Sequence, residues 1–291
     1  MIGILAGLLC ALSWATGSIM IKDLSRKLDP FTLNAPRALV GGLAMLVLTL
    51  ATGRAGGYAG VDGRKLFFMI ISMAVGGGLG DSLYVLAISR IGVSRAFPIA
   101  STYPALTLLL SFLILGEPIG TTTIAGLALV TVGVIFVGRM SEEQRNATSR
   151  RDLIQGVLFS LAAALLWSVS MILVAPGIEG LDPVLVASIR VPALSIGLGI
   201  VVLARRTAHK YRTLSKRDWW LVVAGGLIGW GLGSMLFVVT VGLIGPGRAA
   251  IITSVSPLFA LPLSVLFLRE HVSPTVLVGT ALAVCGIALV S

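Results

Sequence analysis

The sequence predicts an all-α integral membrane protein of ten transmembrane helices, arranged as two inverted five-helix repeats. Three observations point there: an apolar composition, apolar runs that recur at membrane-spanning length, and a self-match at constant offset. The chain is 56% apolar and 12% charged, against roughly 45–50% and about 25% in soluble domains. Too few polar residues remain to cover a water-facing surface. Displaced by 153 positions, the chain meets itself without a gap: Gly3 falls on Gly156, Trp14 on Trp167, Arg37 on Arg190, Gly80 on Gly233 and Glu117 on Glu270. Roughly 40 of about 136 aligned pairs are identical, and the matches include Trp, Arg and Glu, which low complexity alone does not share.

Read against their polar breaks, the apolar runs of the first half lie at about 2–21, 31–52, 66–89, 96–115 and 119–138, each near the roughly 20 residues that span a bilayer. Those of the second lie at about 154–174, 184–204, 219–243, 249–268 and 274–291. Residues 1–138 and 154–291 therefore form the two repeats, and 139–153, with Ser141-Glu142-Glu143-Gln144 and Arg145, Arg150 and Arg151, form the linker. Within it Asn146-Ala147-Thr148 matches a glycosylation acceptor, a pattern short enough to arise by chance. An odd number of crossings per repeat forces the second unit to enter from the opposite face. Inverted repeats of this kind are common in secondary transporters, whose halves rock about a shared site.

The net charge of +10 sits between the apolar runs, which reads as the cytoplasmic bias of Lys and Arg rather than a nucleic-acid surface. Lys22, Arg26, Lys27, Arg90, Arg95 and the cluster Arg205, Arg206, Lys210, Arg212, Lys216 and Arg217 share one face. Cytoplasmic placement of that face puts both termini outside. Cys10 and Cys285 fall inside apolar runs and imply neither a disulfide framework nor a metal site. No cofactor motif is present, and a Walker A pattern is absent. A His-Glu-x-x-His motif is missing, both histidines (His209, His271) fall in loops, and no nucleophile–base pair stands out, so an enzyme is not expected.

Charged and polar residues inside the runs are the candidates for function. Asp29-Pro30 and Asp182-Pro183 read as helix starts, with Asp accepting from free N–H groups and Pro suited to the first position. Arg37 and Arg190 lie roughly 12 Å further along each helix. A charge near mid-membrane costs on the order of 2.5–3.5 kcal/mol on insertion scales, so each arginine needs a partner or an exit. One expectation is a pair of gating ion pairs across the repeats, Arg37 with Glu270 and Arg190 with Glu117. The other is that each Glu binds backbone N–H groups at the next helix start while each Arg snorkels or binds carbonyls. Asp81 breaks the repeat, facing Ser234 in the alignment. It is expected either to pair with Arg37 or Arg95, or to bind a cation or carry a proton. The glycines Gly76, Gly80, Gly229 and Gly233 have the spacing that lets helices approach closely. Prolines Pro98, Pro104, Pro257 and Pro262 predict bent helices at matching places in both halves, which points to a binding region holding Ser101, Tyr103 and Ser254.

The order of these elements carries a resemblance. Each half reads as an apolar helix with Trp, then Asp-Pro with an Arg seven residues later, then a Gly-rich helix. Gly-x-x-Arg (Gly92 to Arg95, Gly245 to Arg248) and Ser-x-x-Pro (Ser101 to Pro104, Ser254 to Pro257) follow, then an apolar run ending in Glu and a helix with Gly spaced by seven. Over nearly the whole chain this resembles the EamA repeat of the drug/metabolite transporter superfamily. The resemblance implies an inner-membrane exporter of amino acids, other small metabolites or drugs, with a cavity between the halves and both termini in the cytoplasm, opposite to the charge count. It also implies that helices 1, 3, 6 and 8 line the cavity through Trp14, Ser18, Asp81, Tyr84, Trp167, Trp230 and Phe237. Small multidrug members of the superfamily use a Glu in the first helix; here neither helix 1 nor helix 6 holds an acid. An aromatic cavity with few charges suits an amphipathic solute better than a phosphorylated one. The expected function is a secondary transporter, with a channel-like facilitator or a non-transporting assembly partner as alternatives. Its expected partners are membrane lipid, a small solute and a proton or other coupling ion; the oligomeric state is left open.

Overall fold

The computed structural model describes residues 1–20, 24, 27–91, 96, 99–138, 149–256, 258–259 and 274–290. Nine helices are named among them: α1 (Ile2–Met20), α2 (Pro30–Ala51), α3 (Gly63–Ile91), α4 (Tyr103–Leu115), α5 (Thr121–Gly138), α6 (Arg150–Ile178), α7 (Pro183–Ala204), α8 (Lys216–Thr253) and α9 (Pro274–Val290). Five of these, α2, α3, α6, α7 and α8, are long and apolar enough to cross a membrane. Val47 on α2 and Ile196, Ile200 and Leu203 on α7 are exposed. Apolar stripes of that extent are unfavourable in water and suit a lipid-facing surface.

Helix starts follow local chemistry. Asp29 accepts the Thr32 N–H at 3.3 Å and Asp182 those of Val184 and Leu185 at 2.9 and 3.2 Å, with Pro30 and Pro183 in the first turns. These satisfy donors that a helix start leaves free. α6 begins at Arg150, four residues before the expected start at 154, because Ser149 caps it by accepting from the Asp152 N–H at 3.1 Å. Pro104 is not a mid-helix kink as expected. It stands in the first turn of α4, where a missing N–H costs nothing. Pro98, Pro257 and Pro262 lie outside the described residues, as does Asn146-Ala147-Thr148.

Packing repeats at the same offset as the sequence. A Cβ on Gly3 would meet Ile244 and one on Gly156 would meet Ile91; one on Gly233 would meet Trp14 and one on Gly80 would meet Trp167. Each contact is the other moved by 153 positions, so α1 lies on α8 as α6 lies on α3. Two further pairs join helices that occupy equivalent places in the two halves. In α2 and α7, Ser195 Oγ donates to the Ala35 carbonyl and Gly42 abuts Pro192. In α5 and α9, Gly126 meets Gly286 and Val290 while Gly133 meets Gly279 and Ala283. In both pairs one index rises as the other falls, so the partners run antiparallel.

Wide-turn π segments occur at matching places, Ala74–Gly80 in α3 and Gly226–Leu232 in α8. Gly76 and Gly80 receive Ser170 and Trp167, and Gly229 and Gly233 receive Gly17 and Trp14, the close approach their spacing predicts. A pair of short 3₁₀ straps also repeats. In Arg54–Gly60, Tyr58 Oη hydrogen-bonds Ser188 Oγ at 2.7 Å, and in Ala208–Thr213, Tyr211 Oη donates to the Thr32 carbonyl at 2.9 Å. Each strap sends a cation to the capping Asp of the other half: Arg54 to Asp182 at 2.9 Å and Lys210 to Asp29 at 3.4 Å. Burial works to raise the Asp29 carboxyl, but hydrogen bonds from Thr32 and Lys210 outweigh it and hold its pKa below the ordinary value.

Candidate functional site

A cavity of about 770 Å³ opens between the halves. α1 and α6 bring Trp14 and Trp167 to it; α3 brings Asp81 and Tyr84; α8 brings Trp230 and Phe237. Ser101 enters from a turn at Ser101–Thr102, Tyr103 from the start of α4, and Ser254 from an equivalent turn at Ser254–Val255. Nine of the ten residues named from sequence as cavity lining therefore face one space. Ser18 lies in α1, and its side chain is outside what is described. Arg37 and Arg190, expected in gating pairs, line the same space.

The walls are paired like the helices. Trp14 meets Phe237 with ring centres 5.8 Å apart, and the equivalent Trp167 meets Tyr84 at 5.2 Å. Tyr103 stands edge-on to Trp167 at 5.8 Å and donates through Oη to the Ala250 carbonyl at 3.3 Å. The acid breaks this symmetry. Trp167 Nε1–H donates to Asp81 Oδ1 at 2.8 Å, whereas the equivalent Trp14 faces a half with Ser234 in that place. Asp81 and Arg37 attract one another across the cavity, without a direct ion pair among the described residues.

The expected gating pair of Arg190 with Glu117 is not formed. Glu117 accepts from the Gly247 N–H at 3.2 Å and from Ser111 Oγ, beside a separate crevice of about 640 Å³. The cause is the backbone. Gly245, at φ 76° and ψ 161°, breaks α8, and Pro246 restarts it, so the new leg presents free N–H groups that need an acceptor. Arg190 instead lies 5.4 Å from the Phe237 ring centre, with Nη2 at 3.5 Å from Ser72 Oγ. Arg37 donates to Asn34 Oδ1 at 2.7 Å and to the Gly225 carbonyl at 3.4 Å. Its proposed partner Glu270 lies outside the described residues. Losing the Glu117 acceptor strands a backbone N–H away from water, at about 1–3 kcal/mol. We expect Glu117→Leu to lower the melting temperature in detergent clearly more than Glu117→Gln, whose amide oxygen still accepts. Equal melting of the two variants would show that the cap contributes nothing.

Sequence reasoning missed Asn34, Ser170 and Thr253 on the cavity wall. Asn34 was within reach, one helical turn before Arg37 on the same face. Ser170 was not: serines in apolar helices usually bond back to their own carbonyls, whereas this one donates to the Ser72 carbonyl at 2.6 Å.

Apolar helices around an aromatic-lined cavity define a multi-pass membrane protein. The EamA-like transporter family profile matches residues 1–139 and 154–291, and the chain belongs to that family. It is similar to an uncharacterized transporter of Archaeoglobus fulgidus, 27% identical over 99% of this chain and 98% of that one. It is also similar to Protein LicB of Haemophilus influenzae, 23% identical over 98% of this chain and 96% of that one. The uncharacterized inner membrane transporter YhbE of Escherichia coli is 25% identical over 46% of this chain and 42% of its own. A solved crystal structure superposes with a TM-score of 0.78 at 19% identity, covering 99% of this chain and 97% of that one, a likeness in fold. Family membership makes the chain a membrane transporter and points away from an enzyme.

Proposed function

We propose that the chain is a secondary carrier of the inner membrane that exports a small amphipathic solute by alternating access. In this reading residues 1–138 and 154–291 are inverted five-helix repeats joined by 139–153, and ten crossings surround the cavity. The observation that carries it is the cavity itself, bounded by equivalent residues of both halves: Trp14 and Trp167, Tyr84 and Phe237, Ser101 and Ser254, Arg37 and Arg190. The antiparallel packing of equivalent helices supports the inversion, and the matching turns at Ser101–Thr102 and Ser254–Val255 supply hinges beside the site. The volume of about 770 Å³ falls within the roughly 300–1,000 Å³ of small-molecule sites.

Reconstitution in liposomes tests this. A carrier gives saturable uptake, and unlabelled solute loaded inside accelerates entry of labelled solute. Linear uptake without counterflow would identify a facilitator, and no flux with any solute that binds would identify an assembly partner.

A further inference from the structure

The two equivalent arginines of the cavity are served unequally. Arg37 has Asn34 Oδ1 at 2.7 Å, the Gly225 carbonyl at 3.4 Å and the Asp81 carboxylate across the cavity. Moved by 153 positions, the second half keeps the arginine and replaces its surroundings: Asn34 becomes Ala187, Asp81 becomes Ser234 and Gly225 becomes Ser72. Arg190 is 2% exposed, and among the described residues its one close polar contact is the Ser72 hydroxyl at 3.5 Å. Among the described residues its Nε and Nη1 have no hydrogen-bond partner, whereas on Arg37 only Nε lacks one. Among the described residues the cavity wall holds two cations and a single carboxylate, so one positive charge stands unbalanced.

A buried cation with unmade hydrogen bonds is costly unless something brings an anion to it. We propose that Arg190 is the anion receptor of this cavity and that the solute carries a carboxylate on an apolar body. This rests on reading the cavity as the solute site. A guanidinium fork matches a carboxylate in plane, with two parallel N–H···O bonds. A phosphate dianion would call for further free cations, and Arg37 is already engaged. Beside the guanidinium, Phe237 and Trp14 form an apolar wall for the rest of the molecule.

Three probes of one shape separate charge from packing: phenylacetate, phenylacetamide and phenethylamine, titrated against the purified protein in detergent at neutral pH, with tryptophan quenching as readout. Phenylacetate is expected to bind about tenfold tighter than the amide, the difference of one good charge-assisted pair, and the amine weakest. Arg190→Gln is expected to abolish the preference and Arg190→Lys to retain part of it. Should Arg190→Gln not fold, the series on the wild-type protein decides alone. Equal affinity for acid and amide, a preference for the amine, or no carboxylate-dependent signal overturns the assignment. The carrier reading fails separately. Flux of a neutral solute untouched by Arg190→Gln would sink the receptor and spare the carrier, while carboxylate binding without flux would do the reverse.

Discussion

Gly226→Leu is expected to leave little monodisperse protein after detergent extraction. A Cβ at this position would sit 2.6 Å from the Arg37 carbonyl oxygen and 3.2 Å from its Cα. From the other side, a Cβ on Gly41 would sit 2.7 Å from the Gly226 carbonyl oxygen and 2.8 Å from the Gly231 nitrogen. α2 and the wide-turn segment of α8 thus touch backbone to backbone, and no rotamer change makes room. Overpacking a tight site costs about 1–3 kcal/mol, and rigid neighbours on both sides place this one at the upper end. The effect reaches the cavity, because Arg37 rides on α2 and Trp230 on the segment it would be pushed from. Gly199→Ala is the control, since nothing lies within 4 Å of a Cβ there. Wild-type yield and melting for Gly226→Leu would show that these helices have slack.

The repeat explains how much of this was readable beforehand. An offset match shows which residues are equivalent, and the contacts follow it: Trp14 meets Phe237 as Trp167 meets Tyr84, each pair the other moved by 153 positions. Asp81 stood out for the opposite reason, as the place where the copy fails. Direction around the axis is not encoded in an offset, and of the two alternatives it left open the ion pair failed for Arg190, while Glu117 took a backbone N–H and Arg37 a carbonyl. Glu117 and Arg190 were paired by membrane face, yet the carboxylate turns to the Gly247 N–H while the guanidinium turns to the cavity. Gly245-Pro246 was the missed signal, a dipeptide that cannot continue a helix and leaves donors behind it. The straps escaped because a loop tyrosine looks ordinary; only the coincidence of Tyr58 with Tyr211 at the repeat offset marks them.

Asp81→Asn is expected to keep the fold and abolish solute accumulation driven by a proton or cation gradient. An Asn oxygen still accepts from Trp167 Nε1, now 2.8 Å from Asp81 Oδ1, so shape and that hydrogen bond survive. The charge does not. Asp81 is the only carboxylate on the described cavity wall, and its loss leaves Arg37 without a counter-charge. Removing one partner of a buried pair costs roughly 3–5 kcal/mol, an upper bound here because Asp81 and Arg37 attract without direct contact. A modest fall in melting temperature is therefore expected, recovered when Arg37→Gln is added. Transport distinguishes a carrier's coupling group from a structural counter-ion. A group that takes up the driving ion can be lost while solute still exchanges for solute, so counterflow should persist in Asp81→Asn as gradient-driven uptake drops at least about tenfold, the equivalent of 1.4 kcal/mol. If gradient-driven uptake and its pH dependence match wild type while only melting falls, Asp81 serves Arg37 alone and the driving ion binds elsewhere.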